Sequence, residues 1–418
     1  MATNVKASVL HGARDLRVES RPLPPLSPTD VLISIKSTGL CGSDLHYYTH
    51  FRNGDIQVHE PLTLGHESSG IITAIGSSVT DLKVGDRIAL EVGQPCEKCE
   101  LCRPLPSSPS TSHGTAKTRD HGVRMMGEES RYNICRSMRF RSSAKGWPQF
   151  PHSQGTLQEV VAHPAKWCHK LPDNVDYTMG ALAEPLSVAW HAAGRAGISS
   201  LYSVLSGTAG RRLNVLVFGA GAVGLLCAAV CKSLTKGEAR VVIADIQEDR
   251  VKFAVENGFA DEAVVVPLSE KRLEKIEEKL EYARSVADRV KGVGKDEKVG
   301  EVDVTFECTG VESCLQSSIY ATTPGGKIMI IGMGNPIQTL PISAASLKEV
   351  DLLGVFRYAN AYPKVIELLA SGDPHLPDLS KLVTQRYSGL ESIPRAFDMA
   401  AKVKDDEGNL VLKVMVDM

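Results

Sequence analysis

Residues 214–331 alternate between apolar strand patterns and helical patterns, and this alternation constrains the fold more than any other feature. The predicted strands are Asn214–Phe218, Arg240–Asp245, Val302–Phe306 and Lys327–Ile331, and the predicted helices are Gly221–Leu234, Gln247–Asn257 and the charged segment Lys271–Lys291. Parallel strands need a crossover connection, which a helix normally supplies. The pattern therefore predicts a doubly wound parallel α/β sheet.

A glycine-rich turn follows the first of these strands and opens the first helix. In Gly219, Gly221 and Gly224, the first glycine makes the turn, the second lets a pyrophosphate approach the backbone, and the third allows close helix–strand packing. Asp245 ends the next strand, where a carboxylate binds ribose hydroxyls and repels a 2′-phosphate. We interpret the turn as a site for NAD rather than NADP; the alternative is a glycine-rich turn in an unrelated sheet.

The remaining sequence predicts a second, β-rich region. Alternating apolar residues indicate strands at Val31–Lys36, Gly70–Ile75 and Arg87–Glu91, and a helix is expected over Met179–Ala193. A polar segment rich in Pro and Ser, from Arg103 to about Ser130, predicts a mobile loop, and Ser199–Arg212 is also loop-like. The simplest organisation is a nucleotide-binding domain, residues 191–352, inserted into a domain built from residues 1–190 and 353–418.

Composition excludes two classes of partner. Lys and Arg total 47 against 49 Asp and Glu, a net charge of −2, so no electrostatic basis exists for binding nucleic acid or an anionic membrane. No apolar run reaches the roughly 18 residues of a membrane span, and the amino terminus lacks the apolar core of a signal peptide. We expect a cytoplasmic protein whose ten cysteines are reduced thiols or metal ligands.

The cysteines cluster in one place. Cys96, Cys99 and Cys102 have metal-ligand spacing, and Cys135 is available as a fourth thiolate. Four thiolates leave no open coordination position, so we predict a structural zinc site, against the alternative of redox or core cysteines. A catalytic zinc needs other donors and a vacancy for substrate, and Cys41 with His66 and Glu67 are the candidates; each alone is equally consistent with simple packing.

Several motifs together resemble those of the zinc-containing medium-chain dehydrogenases, in particular the sorbitol, xylitol and arabinitol dehydrogenase branch. Beyond the three spaced cysteines, the motifs that carry the resemblance are Cys41–Tyr47, Leu64–Glu67, Arg131–Cys135, Lys170–Asn174, Ala183–Ser187, Glu307–Gly310 and Gly354–Tyr358. They span nearly the whole chain. The resemblance implies a GroES-like β-rich catalytic domain joined to a Rossmann domain, and a homotetramer or homodimer.

The resemblance also assigns roles in the oxidation of a polyol to a ketose with hydride transfer to NAD. It implies a catalytic zinc held by Cys41, His66 and Glu67, with Glu184 reaching the metal through water and also touching substrate. Glu184 has a plainer interpretation, as the start of a helix with Pro185 in its first turn. Ser43 and His46 match a proton relay, and Asp44 is placed to hold the second ring nitrogen of His66.

Substrate and cofactor contacts follow from the same resemblance. Polyol hydroxyls are expected to bind Tyr47, Glu184, Arg357 and Tyr358. Besides the glycine-rich turn, the expected NAD contacts are Val223, Asp245, Arg250, Ile331, Gly332, Met333, Val355, Phe356 and Arg357. Arg250 fits pyrophosphate or adenosine, or equally an exposed helix charge.

The sequence departs from the family pattern between Cys102 and Cys135, where residues 103–134 replace a much shorter segment. A long loop raises the closure entropy only slowly, so this excursion is compatible with an intact zinc site; a mistaken gene model is the other explanation. Residues 140–154 are also expanded and replace a segment that lines the substrate cleft. The alternatives to a polyol dehydrogenase are a zinc dehydrogenase for threonine or butanediol, and a catalytically idle NAD-binding sensor.

Overall fold

The computed structural model describes residues 4–103, 130–144, 151–209, 211–269, 272–294 and 297–418. The loop predicted between Arg103 and Ser130 lies almost entirely outside these residues. Within the described ranges no helix is long and apolar enough to cross a membrane.

The amino-terminal part is built from short antiparallel strands. They are β1 (Asn4–Gly12), β2 (Asp15–Pro22), β3 (Asp30–Gly39), β4 (Arg52–Asn53), β5 (Ile56–Gln57), β6 (Leu62–Thr63), β7 (Glu67–Ile75), β8 (Arg87–Leu90), β9 (Gly93–Gln94), β10 (Arg139–Phe140), β11 (Val160–Pro164) and β12 (Cys168–Lys170). Helix α1 (Gly42–His50) follows β3, and short 3-10 turns cover Tyr132–Ile134 and Ala165–Trp167. Along β3 buried and half-buried residues alternate, because one face of this strand packs on the core.

The second part is a six-stranded parallel sheet. Its strands are β13 (Asn214–Phe218), β14 (Arg240–Asp245), β15 (Glu262–Val265), β16 (Val302–Glu307), β17 (Thr322–Ile330) and β18 (Asp351–Gly354), in the order β15-β14-β13-β16-β17-β18. The connecting helices are α4 (Ala222–Leu234), α5 (Glu248–Glu256), α6 (Ile276–Gly292), α7 (Glu312–Ala321) and α8 (Ile342–Leu347). The chain order reverses between β13 and β16, where a parallel sheet opens a ligand crevice. The predicted doubly wound α/β fold is confirmed.

The carboxyl terminus returns to the first sheet. In chain order it contains helix α9 (Tyr362–Ala370), a 3-10 turn at Leu379–Leu382, strand β19 (Val383–Ser388), a 3-10 turn at Leu390–Ser392, helix α10 (Ile393–Ala400) and strand β20 (Lys413–Asp417). Strand β20 pairs antiparallel with β3, aligning Met415 with Gly39, in a sheet ordered β12-β8-β7-β3-β20-β19 with β11 also on β3. The carboxyl-terminal strand thus lies beside β3, next to the loop that follows it.

A long helix, α2 (Tyr177–Ala196), packs against both parts. Asp176 caps its amino terminus by accepting a 2.7 Å bond from the Met179 amide, and Gly197 ends it with φ 75°. Pro185 therefore lies in the helix interior, so the interpretation of Glu184 as a helix start is wrong. The cap, rather than the proline, sets the first turn.

The loop-like assignment of Ser199–Arg212 is also wrong. Residues Ile198–Val204 form helix α3, and Leu205–Ala209 continue as a π-helical turn. Ile198 is fully buried, and Leu201, Tyr202 and Leu205 pack on the same core. This i, i+3, i+4, i+7 pattern is a helical signal that the surrounding Ser and Gly residues obscure. The proposed boundaries at 190 and 352 fall inside α2 and β18, and stay predictions.

Candidate active site

Three potential metal ligands meet where β3 ends. Cys41 is the residue before α1, His66 precedes β7, and Glu67 is its first residue. Their ligand atoms all lie within 4.8 Å of one another. Gly39 makes this approach possible, since a Cβ there would lie 2.3 Å from Glu67 Oε2. A thiolate, an imidazole and a carboxylate are a donor set that fits zinc with one position left open.

A fully buried carboxylate orients the histidine. Asp44 lies 3.2 Å from His66 Nδ1, which leaves Nε2 as the nitrogen available to a metal. Burial opposes the charged forms of both groups. Their mutual attraction outweighs this effect: it lowers the pKa of Asp44 and, together with the neighbouring Cys41, raises the pKa of His66 well above its ordinary value. Ser142 and the Gly65 amide also donate to Asp44.

Glu67 has a counter-charge that sequence reasoning missed. Lys413 Nζ lies 2.7 and 2.9 Å from the two Glu67 oxygens and donates to the Leu40 carbonyl at 3.1 Å. Lys413 is 5% exposed and Glu67 1%, so the pair is shielded from solvent. The available signal was one lysine inside the apolar strand residues 410–416, where a buried charge needs a partner.

Glu184 lies on α2 and is 4% exposed. Burial raises the pKa of its carboxyl to about 7; neighbouring His66 lowers this pKa and Glu67 raises it, which places Glu184 beside the three ligands. Its carboxylate is not in the set of atoms within 4.8 Å of one another. Glu184 is therefore close to the cluster without joining it directly.

The predicted substrate contacts converge on the same place. Arg357 Cζ lies 3.5 Å from the centre of the Phe140 ring, and the ring of His66 lies 5.5 Å from it. Burial lowers the pKa of Arg357 to about 10, while Tyr358, Glu184 and Tyr47 raise it. Among the described residues, Arg357 Nη1 and the Tyr358 hydroxyl are buried without a well-formed hydrogen bond. Such orphaned polar atoms fit a hydroxylated ligand.

Phe140 was missed because it lies in the expanded segment 140–154, and nothing in that sequence singles out one aromatic residue. Tyr47 is almost fully buried, and its hydroxyl accepts a 3.4 Å bond from the Ala144 amide. Residues 145–150 of the same segment are outside the described structure.

The proposed proton relay is only partly assembled. Ser43 Oγ donates to Cys41 Sγ at 3.3 Å, which places it at the metal ligands. His46 lies on α1 with much of its surface exposed, and partial desolvation of its ring, followed by repulsion from His50, lowers its pKa. No hydrogen bond between Ser43 and His46 is found in the described part of the chain.

The four cysteines predicted to bind structural zinc also meet. The sulfur–sulfur distance is 3.9 Å between Cys96 and Cys102, 3.4 Å between Cys99 and Cys102, and 3.9 Å between Cys99 and Cys135. Four sulfurs placed tetrahedrally at zinc distance would be roughly 3.8 Å apart, so the group fits one ion. Backbone amides of Lys98 and Cys99 lower the pKa of Cys96 to about 6, which favours its thiolate.

The glycine-rich turn has the geometry of a dinucleotide site. Gly219 has φ 94°, and a Cβ at Gly224 would lie 1.8 Å from the Gly219 carbonyl. A Cβ at Gly221 would meet only Arg250 Nη1, at 4.0 Å, so the amino terminus of α4 faces open space. Asp245 accepts bonds from the Ala220 and Gln247 amides at 2.7 and 2.8 Å, which fixes its carboxylate beside the turn.

The other predicted cofactor residues lie at the carboxyl edge of the same sheet. Val223 is in the first turn of α4, Ile331, Gly332 and Met333 follow β17, and Val355, Phe356 and Arg357 follow β18. Arg250 is half-buried and bonds the Val411 carbonyl at 3.3 Å, so it is not the exposed helix charge considered above.

Comparison with known proteins agrees with this geometry. Residues 27–173 match the family described as alcohol dehydrogenase GroES-like domain, and residues 222–371 match zinc-binding dehydrogenase. A sorbitol dehydrogenase from Gallus gallus is 37% identical, over 94% of this chain and 92% of its own length. An L-idonate 5-dehydrogenase from Vitis vinifera is 33% identical, over 99% of this chain and 94% of its own length. An oxidoreductase/dehydrogenase of unknown specificity from Escherichia coli has a similar structure, with a TM-score of 0.75, 25% identity and 99% coverage of both chains.

The chain belongs to the zinc-containing medium-chain dehydrogenase family, in its sorbitol dehydrogenase branch. The long segment 103–134 departs from that family, yet its flanks meet. Ser130 Oγ donates to the Cys102 carbonyl at 2.6 Å, and the Arg131 amide donates to Leu101 at 2.8 Å. The insertion therefore leaves and re-enters the fold at one point, so Cys135 reaches the other cysteines despite its distance in sequence.

Proposed function

We propose that this protein is an NAD-dependent polyol dehydrogenase, which oxidises a secondary hydroxyl of sorbitol, xylitol or L-arabinitol to the ketone. The observation that carries the proposal is the meeting of Cys41, His66 and Glu67 with the orphaned polar atoms of Arg357 and Tyr358. Sorbitol dehydrogenases aligned over almost the whole chain support the same substrate class.

The roles of individual residues follow from their contacts. When bound, zinc polarises the substrate hydroxyl and NAD accepts the hydride. Asp44 fixes the ring of His66, and Ser43 and His46 carry the hydroxyl proton toward solvent. Glu184 would contact the substrate and could bind a water beside the zinc, while Tyr47, Arg357 and Tyr358 would bind hydroxyls remote from the reacting carbon. These remote contacts orient the carbinol carbon for hydride transfer.

Specificity for a polyol depends on filling the buried polar atoms. An aliphatic alcohol would leave Arg357 Nη1 without a partner and give the Tyr358 hydroxyl, which lies near Glu184 and Tyr362, no ligand hydroxyl, which costs binding free energy. A polyol supplies a hydroxyl to each. On the cofactor side, the Asp245 carboxylate accepts ribose hydroxyls and repels a 2′-phosphate, so NAD is preferred.

The direct test measures zinc content and NADH formation with a panel of sorbitol, xylitol, L-arabinitol, L-idonate, threonine and 2,3-butanediol. We expect the polyols to be oxidised fastest, and Cys41→Ser to abolish turnover with NADH binding retained. Preference for threonine or butanediol would move the enzyme to another alcohol class. Tight NADH binding without turnover of any alcohol would indicate a sensor and refute the proposal.

Arg357→Leu tests the substrate role of this residue. We expect kcat/KM for sorbitol or xylitol to fall by an amount that corresponds to a loss of about 1–3 kcal/mol in transition-state stabilisation, the range for lost buried polar contacts. A short secondary alcohol such as 2-butanol lacks the remote hydroxyls and should lose much less. Equal losses for both alcohols would assign Arg357 to the cofactor instead.

We propose further that the enzyme is a cytoplasmic homodimer or homotetramer. The ten free cysteines, without a disulfide among them, support a reducing compartment. Ile337 is 87% exposed and Leu347 89%, which supports an interface beside α8. Light scattering at several protein concentrations measures the assembly, and a monomer at all of them would contradict it.

A further inference from the structure

The loop after β18, residues 355–360, carries Arg357 and Tyr358 and adopts an unusual backbone conformation. Arg357 has φ 52° and Asn360 has φ 56°, both in the left-handed region that residues with a side chain seldom adopt. Two such positions in one short loop persist only where surrounding contacts hold them. We call residues 355–360 the Arg357 loop.

Contacts from one other segment hold this loop. Asn133 Nδ2 donates to the Phe356 carbonyl at 2.8 Å. The Asn360 amide donates to the Tyr132 hydroxyl at 2.8 Å, and Asn360 Nδ2 donates to the Ser130 carbonyl at 2.7 Å. All three partners lie within residues 130–133, immediately before Cys135. The segment that completes the four-cysteine site thus also supports the loop that bears the predicted substrate contacts.

The segment is itself firmly held. The Tyr132 hydroxyl donates to Glu91 at 2.5 Å, and the ring of Tyr132 packs 5.1 Å from that of Trp167. Asn133 lies in the middle of the 3-10 turn Tyr132–Ile134, and Cys135, which follows that turn, is buried with the other three cysteines packed against the same core. The Arg357 loop is consequently fixed against a rigid support rather than against solvent-exposed chain.

Asn133 is the most informative of these contacts. It is 5% exposed, and its Oδ1 is buried without a hydrogen-bond partner among the described residues. A buried amide whose acceptor is unsatisfied costs free energy, and the hydrogen bond made by its donor offsets part of that cost. That donor lies 2.8 Å from the Phe356 carbonyl, while its second neighbour, His191 Nε2, is at 3.5 Å.

We propose that Asn133 is a positioning residue, which holds the Phe356 carbonyl so that Arg357 and Tyr358 face the polyol. The role in substrate binding rests on the proposed function, whereas the effect on the loop itself does not. Through Tyr132 and Asn133, the segment 130–133 that leads to Cys135 determines how well the Arg357 loop is ordered. In this proposal Asn133 acts on the substrate only through the Arg357 loop.

Hydrogen exchange tests the positioning without any substrate. Asn133→Ala should increase deuterium uptake in peptides covering residues 353–362 and leave uptake around Cys41 and His66 unchanged. Asn174→Ala is the matched control, because Asn174 also donates to a backbone carbonyl, that of Ala370 at 2.9 Å, but is exposed and remote from the site. Unchanged uptake at 353–362 in Asn133→Ala would overturn the proposal, even if the enzyme proves to use another alcohol.

Kinetics then test the consequence. At saturating NAD, Asn133→Ala should lower kcat/KM for sorbitol by roughly tenfold, mainly by raising KM, because one buried hydrogen bond is lost. For 2-butanol kcat/KM should fall by less than about twofold, because this alcohol has no remote hydroxyls for the loop to bind. In an Arg357→Leu background the polyol-specific loss should disappear, because the two residues act in series. Parallel losses for both alcohols, or fully additive losses in the double variant, would assign Asn133 a merely structural role.

Discussion

Replacing Lys413 by leucine tests the electrostatics of the metal site most directly. The change removes a charge that lies 2.7 and 2.9 Å from the two oxygens of Glu67, and it removes the donor to the Leu40 carbonyl. Since Lys413 is 5% exposed and Glu67 1%, the remaining carboxylate cannot be rehydrated without disturbing the packing. Breaking a buried pair in this way costs about 3–5 kcal/mol.

Zinc should reduce that loss, because a metal ion at Cys41, His66 and Glu67 gives the carboxylate another positive partner. The assay is urea denaturation of wild type and Lys413→Leu, each measured after chelation and again with zinc. The double variant Lys413→Leu/Glu67→Gln should recover most of the loss in the chelated state, since no unpaired charge remains.

The control variant is Lys232→Leu. Lys232 lies 2.6 Å from Asp261, whose side chain is 32% exposed, so its removal should cost less than that of Lys413. This pair is not among the three ligands, so its loss should not depend on zinc. If chelated Lys413→Leu is as stable as wild type, or if its loss is the same with and without zinc, the buried pair does not act as described.

Three further outcomes follow from the structure. Wild type should contain about two zinc ions per chain and Cys135→Ser about one, because three thiolates do not complete the closed site; metal analysis that finds equal contents would refute the four-cysteine assignment. Asp245→Ala should raise kcat/KM with NADP relative to NAD by removing the charge opposite a 2′-phosphate, and a wild type that already prefers NADP would contradict this role. Burial raises the pKa of Glu184 to about 7, above the 4.5 of an exposed carboxyl, so its contribution to the stability of the zinc-free protein is complete below about pH 4.5 and is lost as pH rises through 7. In the wild type this should lower the free energy of unfolding by roughly 3 kcal/mol between pH 4 and 8. Glu184→Gln should remove that pH dependence, and a variant whose free energy of unfolding falls with pH as in the wild type would count against the raised pKa.

The parallel sheet was largely predictable because its signals are local. Strands Asn214–Phe218 and Arg240–Asp245 have the predicted bounds, since short apolar runs bounded by turns are typical of inner strands buried on both faces. The charged helix was predicted from Lys271 but begins at Ile276, and its buried face starts only at Ala283. In α3 the same periodicity was present and was overlooked among Ser and Gly residues.

The sequence by itself determined the family, the parallel sheet and the residue types at both metal sites, because ligand spacing, glycine-rich turns and strand periodicity are encoded within a few neighbouring positions. Only the tertiary structure decided which distant groups complete the active site. Glu67 and Lys413 are 346 positions apart, and Asn133 and Phe356 are 223 apart. No local pattern relates such pairs. They meet only because β20 returns to β3 and because the loop after β18 packs on residues 130–133, where each buried side chain finds its partner.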